Sequence, residues 1–248
     1  MFLYIMAVFK NHEGGFGNLL IHLSDCWDKC RTLHRNVYTK YELSNCVTFK
    51  EYTITDSNEG EHPHSSIYIN PMTMNIIHPR IRFFVEPSQH MKTVIQQHSH
   101  IINGVVAAVH IRRGAFSNDS TQYRDASKQN PTHFHCSDQG VDKFMNIVES
   151  LNGPVYLASD STDIKNTFKQ KFGDKVRTLD TQFTFTADQE DSDNQTMKNL
   201  QDVYLEWFLL SMCPKLYITG GNTDLVGFST FSYTAAIYGS KPFECVFN

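Results

Sequence analysis

Val105-Val106-Ala107-Ala108-Val109-His110-Ile111-Arg112-Arg113-Gly114 decides the fold. An apolar run of strand character stops abruptly at two adjacent guanidiniums and a glycine. In open α/β sheets, ligands bind outside the carboxyl ends of the strands, and this strand delivers fixed positive charge there. Arginine's planar fork suits bidentate contact with phosphate, and its charge cannot be titrated away. The segment therefore points to a phosphate-bearing ligand, with a surface salt-bridge pair as the plainer alternative.

The chain downstream of this strand alternates. Strands are expected at Val105–Ile111, Val155–Ala158, Val176–Leu179, Leu216–Thr219 and Phe243–Val246. Helical patterns lie between them at Gln139–Leu151, Thr162–Phe172, Met197–Met212 and Thr230–Tyr238. Such alternation builds βαβ units and a parallel sheet. Upstream the pattern is less regular. A strand is expected at Phe2–Phe9, a glycine turn at Gly14–Gly17, a helix from Asn18 to about His34, and short strand-like pieces near Val47 and Ile67. Tyr52–Ser66 reads as a loop, Ile81–Val85 as a strand and Ser88–Ile101 as a helix. The chain divides near residue 100, into units 1–100 and 101–248.

Composition narrows the function. The 248 residues are enough to bury a full core. A net charge of -4 argues against nonspecific nucleic-acid binding, which needs a basic stripe. No run reaches the roughly 18 apolar residues of a membrane span. Met1–Phe9 is apolar but short, with no basic residue before it and no small-residue cleavage site after it, so it reads as a strand rather than a signal peptide. Six scattered cysteines, several in apolar contexts, fit reduced thiols in a cytoplasmic protein. The sequons at Asn118 and Asn194 are then accidental.

Four further segments line up with the arginines. Gly14-Gly15-Phe16-Gly17-Asn18 joins the first strand to the first helix, and glycines there let backbone N–H groups approach an anion. Tyr156-Leu157-Ala158-Ser159-Asp160 ends a strand in a carboxylate, which contacts a ligand or caps the next helix. Glu206 sits among Tyr204, Leu205, Trp207, Phe208, Leu209 and Leu210, so it lies on a wet face or has a function. Gly227-Phe228-Ser229-Thr230-Phe231-Ser232 opens the last helix with hydroxyls that cap it or bind phosphate.

In this order the segments resemble the GDP-fucose fucosyltransferase superfamily, which includes the α-1,2-, α-1,6- and protein O-fucosyltransferases. The local motifs are most similar to those of bacterial α-1,2 enzymes. The resemblance covers islands from about Gly14 to Ala236. It implies an α/β, GT-B-like fold, with two Rossmann-like domains facing a cleft: an acceptor-side unit 1–100 and a donor-binding unit 101–248. It implies an inverting, metal-independent glycosyltransferase that moves L-fucose from GDP-fucose onto a glycan, glycoprotein or other hydroxyl acceptor, with no cofactor beyond the donor.

Carried over position by position, Arg112 would bind the pyrophosphate and stabilise the leaving GDP, with Arg113 in support and His110 beside the nucleotide. Gly17 and Asn18 would approach the phosphates from the first unit. Asp160 would lie near the donor and Glu206 would contact the base. Ser229, Thr230 and Phe231 would form a hydroxyl-rich phosphate loop. The chain departs from the family at Ala115, where an aspartate is usual, and at Thr234, where a second aromatic is usual. The family's acidic base falls at Ser120, with Asp119 adjacent and Asp125 beyond, and Asp119 is taken as the candidate.

Alternatives remain. A related transferase would use a UDP- or GDP-linked xylose or rhamnose, and a nucleotide-sugar-binding module would have lost catalysis. Asp191-Ser192-Asp193 matches a metal-binding Asp-x-Asp but lacks a preceding apolar strand. His133-Phe134-His135-Cys136 would need further ligands to hold zinc.

Overall fold

The structure is a computed structural model. It describes residues 7–10, 17, 20–21, 24, 35–38, 46–49, 53–55, 81–113, 135–180, 197–221 and 228–248.

The second half is a five-stranded parallel sheet. Its strands are β6 (Ala107–Ile111), β7 (Val155–Ser159), β8 (Val176–Arg177), β9 (Leu216–Thr219) and β10 (Phe243–Val246), in the order β10-β9-β6-β7-β8. Every adjacent pair is parallel. Strand order therefore runs outward from β6 in one direction through β7 and β8, then in the other through β9 and β10. This is the doubly wound order, and its reversal lies between β6 and β9. The crevice outside the carboxyl ends of those two strands is the place where such sheets take ligands.

Both faces of the sheet are covered, as parallel strands require. On one face Val109, Ile111, Leu157 and Val176 pack with Val141, Phe144 and Val148 of α3 (Asp138–Ser150) and with Ile164 and Phe168 of α4 (Thr162–Phe172). On the other, Ala108, Tyr156, Ala158, Leu216 and Ile218 pack with Leu205, Trp207, Phe208, Leu209 and Leu210 of α5 (Met197–Met212) and with Tyr233, Ala235 and Ala236 of α6 (Thr230–Gly239). From Tyr204 to Ser211 every residue of α5 is buried, which is why that stretch reads as apolar all round. The indole of Trp207 donates to the Thr234 hydroxyl at 3.1 Å. The residue that departs from the family motif is thus a core contact between α5 and α6.

In the first half β1 (Ala7–Lys10), β2 (Arg35–Tyr38) and β4 (Thr53–Thr55) form a parallel three-stranded sheet. β3 (Val47–Phe49) and β5 (Val85–Pro87) form an antiparallel pair. Gly17, Leu20, Ile21 and Ser24 are helical, so a helix lies between β1 and β2. Helix α2 (Gln89–His98) starts where expected, with the Ser88 hydroxyl accepting from the Met91 N–H at 3.0 Å.

Three expectations differ. Ile81–Phe84 is a helical turn, α1, and only Val85–Pro87 is strand. Its Ile-Arg-Phe-Phe order mimics a strand, yet Phe83 is 65% exposed. Thr53–Thr55 is a strand inside the segment read as loop, and Arg35–Tyr38 is a strand where none was expected. The division near residue 100 falls in the 3-10 turn Ser99–Ile102. One core crosses it: Leu20, Ile21, Val47, Ile81, Val85, Met91 and Val94 join the residues of α5 and α6.

Candidate functional site

Side chains on a strand alternate between faces, and this alternation separates the two arginines. Val109 and Ile111 face α3 and α4, while Ala108 faces α5 and α6. His110 follows Ala108, and its ring stands 5.5 Å from that of Phe231 in the first turn of α6. Arg113 follows Val109 and Ile111. Its guanidinium turns to the start of α3, donating to the Cys136 carbonyl at 2.8 Å and to Asp138 at 2.7 Å. Its backbone N–H donates to Asp160 at 2.7 Å. Arg113 is buried and serves as a strut between β6, β7 and α3.

By the same alternation Arg112 falls on the His110 side, half-buried. Its carbonyl accepts from Cys136 N–H at 2.7 Å, and its N–H donates to the Thr219 hydroxyl at 3.0 Å. Burial, with Arg112 and Lys165 adding to it, pushes the His110 imidazole down to about 3. His110 is therefore neutral near pH 7. Its Nδ1 is buried and has no hydrogen-bond partner among the described residues. His135, noted in the sequence only within a possible zinc motif, is likewise pushed down to about 3 by burial and by the Arg112 charge.

Ser229 immediately precedes α6. Its N–H donates to the Thr219 carbonyl at 2.9 Å and its carbonyl accepts from Tyr233 N–H at 3.1 Å. The hydroxyl is buried and makes no hydrogen bond among the described residues, not even to cap α6. Buried polar atoms are normally satisfied. Two orphans at one corner, at a helix N-terminus and beside an arginine, form a place for an anion.

Gly17 brings the first half to this corner. A Cβ there would lie 2.5 Å from the Thr230 carbonyl carbon and 2.6 Å from the Phe231 nitrogen. Only glycine lets the first helix sit against the start of α6. Thr230 and Phe231 are the first residues of α6, and both are partly exposed.

The β7 side of β6 is built differently. Asp160 accepts from Arg113 N–H, and the cap of α4 is Ser161, whose hydroxyl accepts from Ile164 N–H at 3.4 Å. Ser159 donates to the Ile111 carbonyl at 2.7 Å. Glu206 is only 4% exposed. Its carboxylate accepts from the equally buried Lys165 ammonium at 3.3 Å, which also donates to the Leu179 carbonyl at 3.4 Å. Burial pushes the Glu206 carboxyl up to about 7, with Lys165 pulling the other way. Close by, the buried Tyr156 hydroxyl has no partner among the described residues.

The structure thus gathers Gly17, His110, Arg112, Ser229, Thr230 and Phe231 at the β6–β9 corner. It sets Arg113, Asp160 and Glu206 on the β7 side. Thr219 and Lys165 join the site without having been singled out, and His135, read only as a possible zinc ligand, precedes Cys136, whose N–H donates to the Arg112 carbonyl. Asn18, Asp119, Asp191 and Asp193 lie outside the described residues. Among those residues no group of three or more His, Cys, Asp and Glu could hold a metal ion, and no helix is long and apolar enough to cross a membrane.

No family model and no curated protein matches the sequence. Solved structures do match. A NodZ α-1,6-fucosyltransferase co-crystallized with GDP superposes with a TM-score of 0.54 at 12% identity, over 93% of this chain and 91% of the other. The NodZ enzyme soaked with GDP-fucose gives 0.52 at 13%, over 94% and 92%. NodZ from Bradyrhizobium gives 0.53 at 11%, over 93% and 92%. Across nearly its whole length, the chain has the fold of the NodZ fucosyltransferases, as its motifs led one to expect.

Proposed function

We propose that this protein is an inverting glycosyltransferase that transfers L-fucose from GDP-fucose to a hydroxyl of a glycan or glycoprotein, without a metal. The observation that carries the reading is the β6–β9 corner. There the Arg112 N–H is held by the Thr219 hydroxyl, the His110 ring stands 5.5 Å from that of Phe231 in α6, and the buried His110 Nδ1 and Ser229 hydroxyl are unanswered among the described residues.

Departure of GDP concentrates negative charge on the β-phosphate. A fixed guanidinium and donors at a helix start stabilise that charge without reorganising. Ser229 donates its hydroxyl, and neutral His110 donates or accepts according to its tautomer. Gly17 and Asn18 close on the phosphates from residues 1–100, which form the acceptor side, while residues 101–248 hold the donor. Asp160 lies near the donor. Arg113 supports Arg112 as a strut. The guanine enters against the Lys165–Glu206 pair. There the ionised form of Glu206 accepts from N1–H and N2–H, a pairing uracil cannot make, and Lys165 draws the buried carboxyl towards that form. Asp119 takes the proton of the acceptor hydroxyl.

A panel of nucleotides tests the reading. GDP at a hundred times its Kd should stabilise the protein by about 2.7 kcal/mol, roughly 5–10 °C for a chain of this size. UDP and ADP should give smaller shifts. An equal or larger shift with UDP would move the donor to a UDP-linked sugar such as xylose or rhamnose. Ala115, standing where the family has an aspartate, favours a second reading, a binding module without catalysis. Release of GDP from GDP-fucose, unaffected by EDTA, would exclude that reading; binding without release would establish it.

A further inference from the structure

The switch point poses a backbone problem. β6 and β9 pair from Ala108↔Leu216 to His110↔Ile218, where the ladder ends. The next donor along β6, the Arg112 N–H, would meet the Thr219 carbonyl, but that carbonyl accepts from the Ser229 N–H, so the Arg112 N–H needs another acceptor, since buried backbone groups are costly to leave unmade.

Thr219 supplies that acceptor from its side chain. Its hydroxyl donates to the His110 carbonyl at 2.8 Å and accepts from the Arg112 N–H at 3.0 Å. Its own carbonyl accepts from the Ser229 N–H at 2.9 Å. Thr219 is 0% exposed. One residue therefore joins the end of β6, the end of β9 and the residue that opens α6. A hydroxyl suits the place because its single oxygen both donates and accepts strongly. Valine has the same shape and can do neither.

We infer that Thr219 is a positioning residue for Arg112. Its hydroxyl fixes the Arg112 peptide, and through it the guanidinium, against the N-terminus of α6, where the diphosphate sits. This rests on the donor site proposed above. A guanidinium displaced by about 1 Å from its working position can lose on the order of a hundredfold in rate. The role therefore has a functional signature beyond stability.

The test is a double-mutant cycle read in GDP affinity by calorimetry, with transfer kinetics beside it. Thr219→Val should weaken GDP by about tenfold and lower kcat further, because charge on the leaving group is greatest in the transition state. Thr219→Ser keeps the hydroxyl and should stay within about threefold of wild type on both. In an Arg112→Ala background, Thr219→Val should weaken GDP by less than about twofold, since residues acting through one another are not additive. Should Thr219→Val not fold, the same cycle is run with Thr219→Cys, whose thiol donates and accepts only weakly.

Equal losses in both backgrounds, or wild-type GDP affinity in Thr219→Val, would overturn the positioning role while leaving the donor site standing. Wild-type GDP affinity in Arg112→Ala alone would instead overturn the donor site.

Discussion

Two polar corners flank the carboxyl end of β6, and they differ in how their groups are satisfied. On the β7 side each buried charge has an answering protein group. Arg113 has the Cys136 carbonyl and Asp138, and Lys165 has the Leu179 carbonyl and Glu206. On the β9 side the His110 Nδ1 and the Ser229 hydroxyl are buried and unanswered among the described residues. A protein does not leave such groups unmade without reason, because each costs about 1–3 kcal/mol. In the proposed reading the β9 corner takes the diphosphate, whereas on the β7 side the charges are already answered by protein groups and it is the neutral Tyr156 hydroxyl that is not, among the described residues. Adjacent arginines, identical in sequence terms, are divided between them by strand alternation alone.

The largest effect that can break this comparison is the difference between those arginines. Arg112→Ala should lower transfer by roughly two to three decades, as loss of one preorganised charge from a transition-state site does, with an unchanged melting temperature. Arg112→Lys should rescue poorly, since an ammonium keeps the charge without the fork. Arg113→Ala should do the converse. It strands the Cys136 carbonyl, costing about 1–3 kcal/mol, or roughly 2–10 °C, with a smaller loss of rate. Transfer rates measured beside melting curves decide it. Equal losses of rate and stability in both variants would erase the distinction.

A smaller effect is expected at Ser229. Removing an orphan hydroxyl should leave the ligand-free melting temperature unchanged or slightly higher. GDP should bind roughly tenfold more weakly, the scale of one hydrogen bond to a charged group. Calorimetry on Ser229→Ala reads both quantities. A lower melting temperature with intact GDP affinity would mean that the hydroxyl belongs to the framework.

The smallest effect is in pH, where the corners have opposite signs. His110 is held near 3, below its ordinary 6.5. Between those values the unfolded chain takes up a proton that the folded one refuses, so stability present above about pH 6.5 is lost as pH falls towards 3. Glu206 is held near 7, above its ordinary 4.5. There the folded chain keeps a proton that the unfolded one releases, so stability is lost as pH rises from about 4.5 to 7. His110→Phe should therefore flatten the acid limb of a melting-temperature profile. Glu206→Gln should remove a loss on the neutral side. Unchanged profiles in both variants would show that neither group is perturbed.

How much of this was legible in the chain follows from distance along it. β6, β7 and β9 announce themselves as apolar runs, and α5 as a long one, because burial on both faces leaves no polar positions to blur the pattern. Arg35-Asn36-Val37-Tyr38 and Thr53-Ile54-Thr55 do not, since three or four mixed residues carry no period. Arg112, Ser229 and Gly17 were readable because each sits beside a strand end or a helix start that is itself readable. Thr219 and Lys165 were not. Their roles depend on which strand lies beside which, and on the Lys165–Glu206 pair that joins α4 to α5, neither of which is local. Arg113 was read as a ligand contact because its partners, Cys136 and Asp138, stand more than twenty residues away.

The most direct test of the central claim is a crystal structure with GDP bound. The account predicts the diphosphate at the β6–β9 corner, within hydrogen-bonding distance of the Arg112 guanidinium and the Ser229 hydroxyl, at the N-terminus of α6. A diphosphate seated on the β7 side, against Asp160 or Lys165 with Ser229 still unpaired, would contradict it.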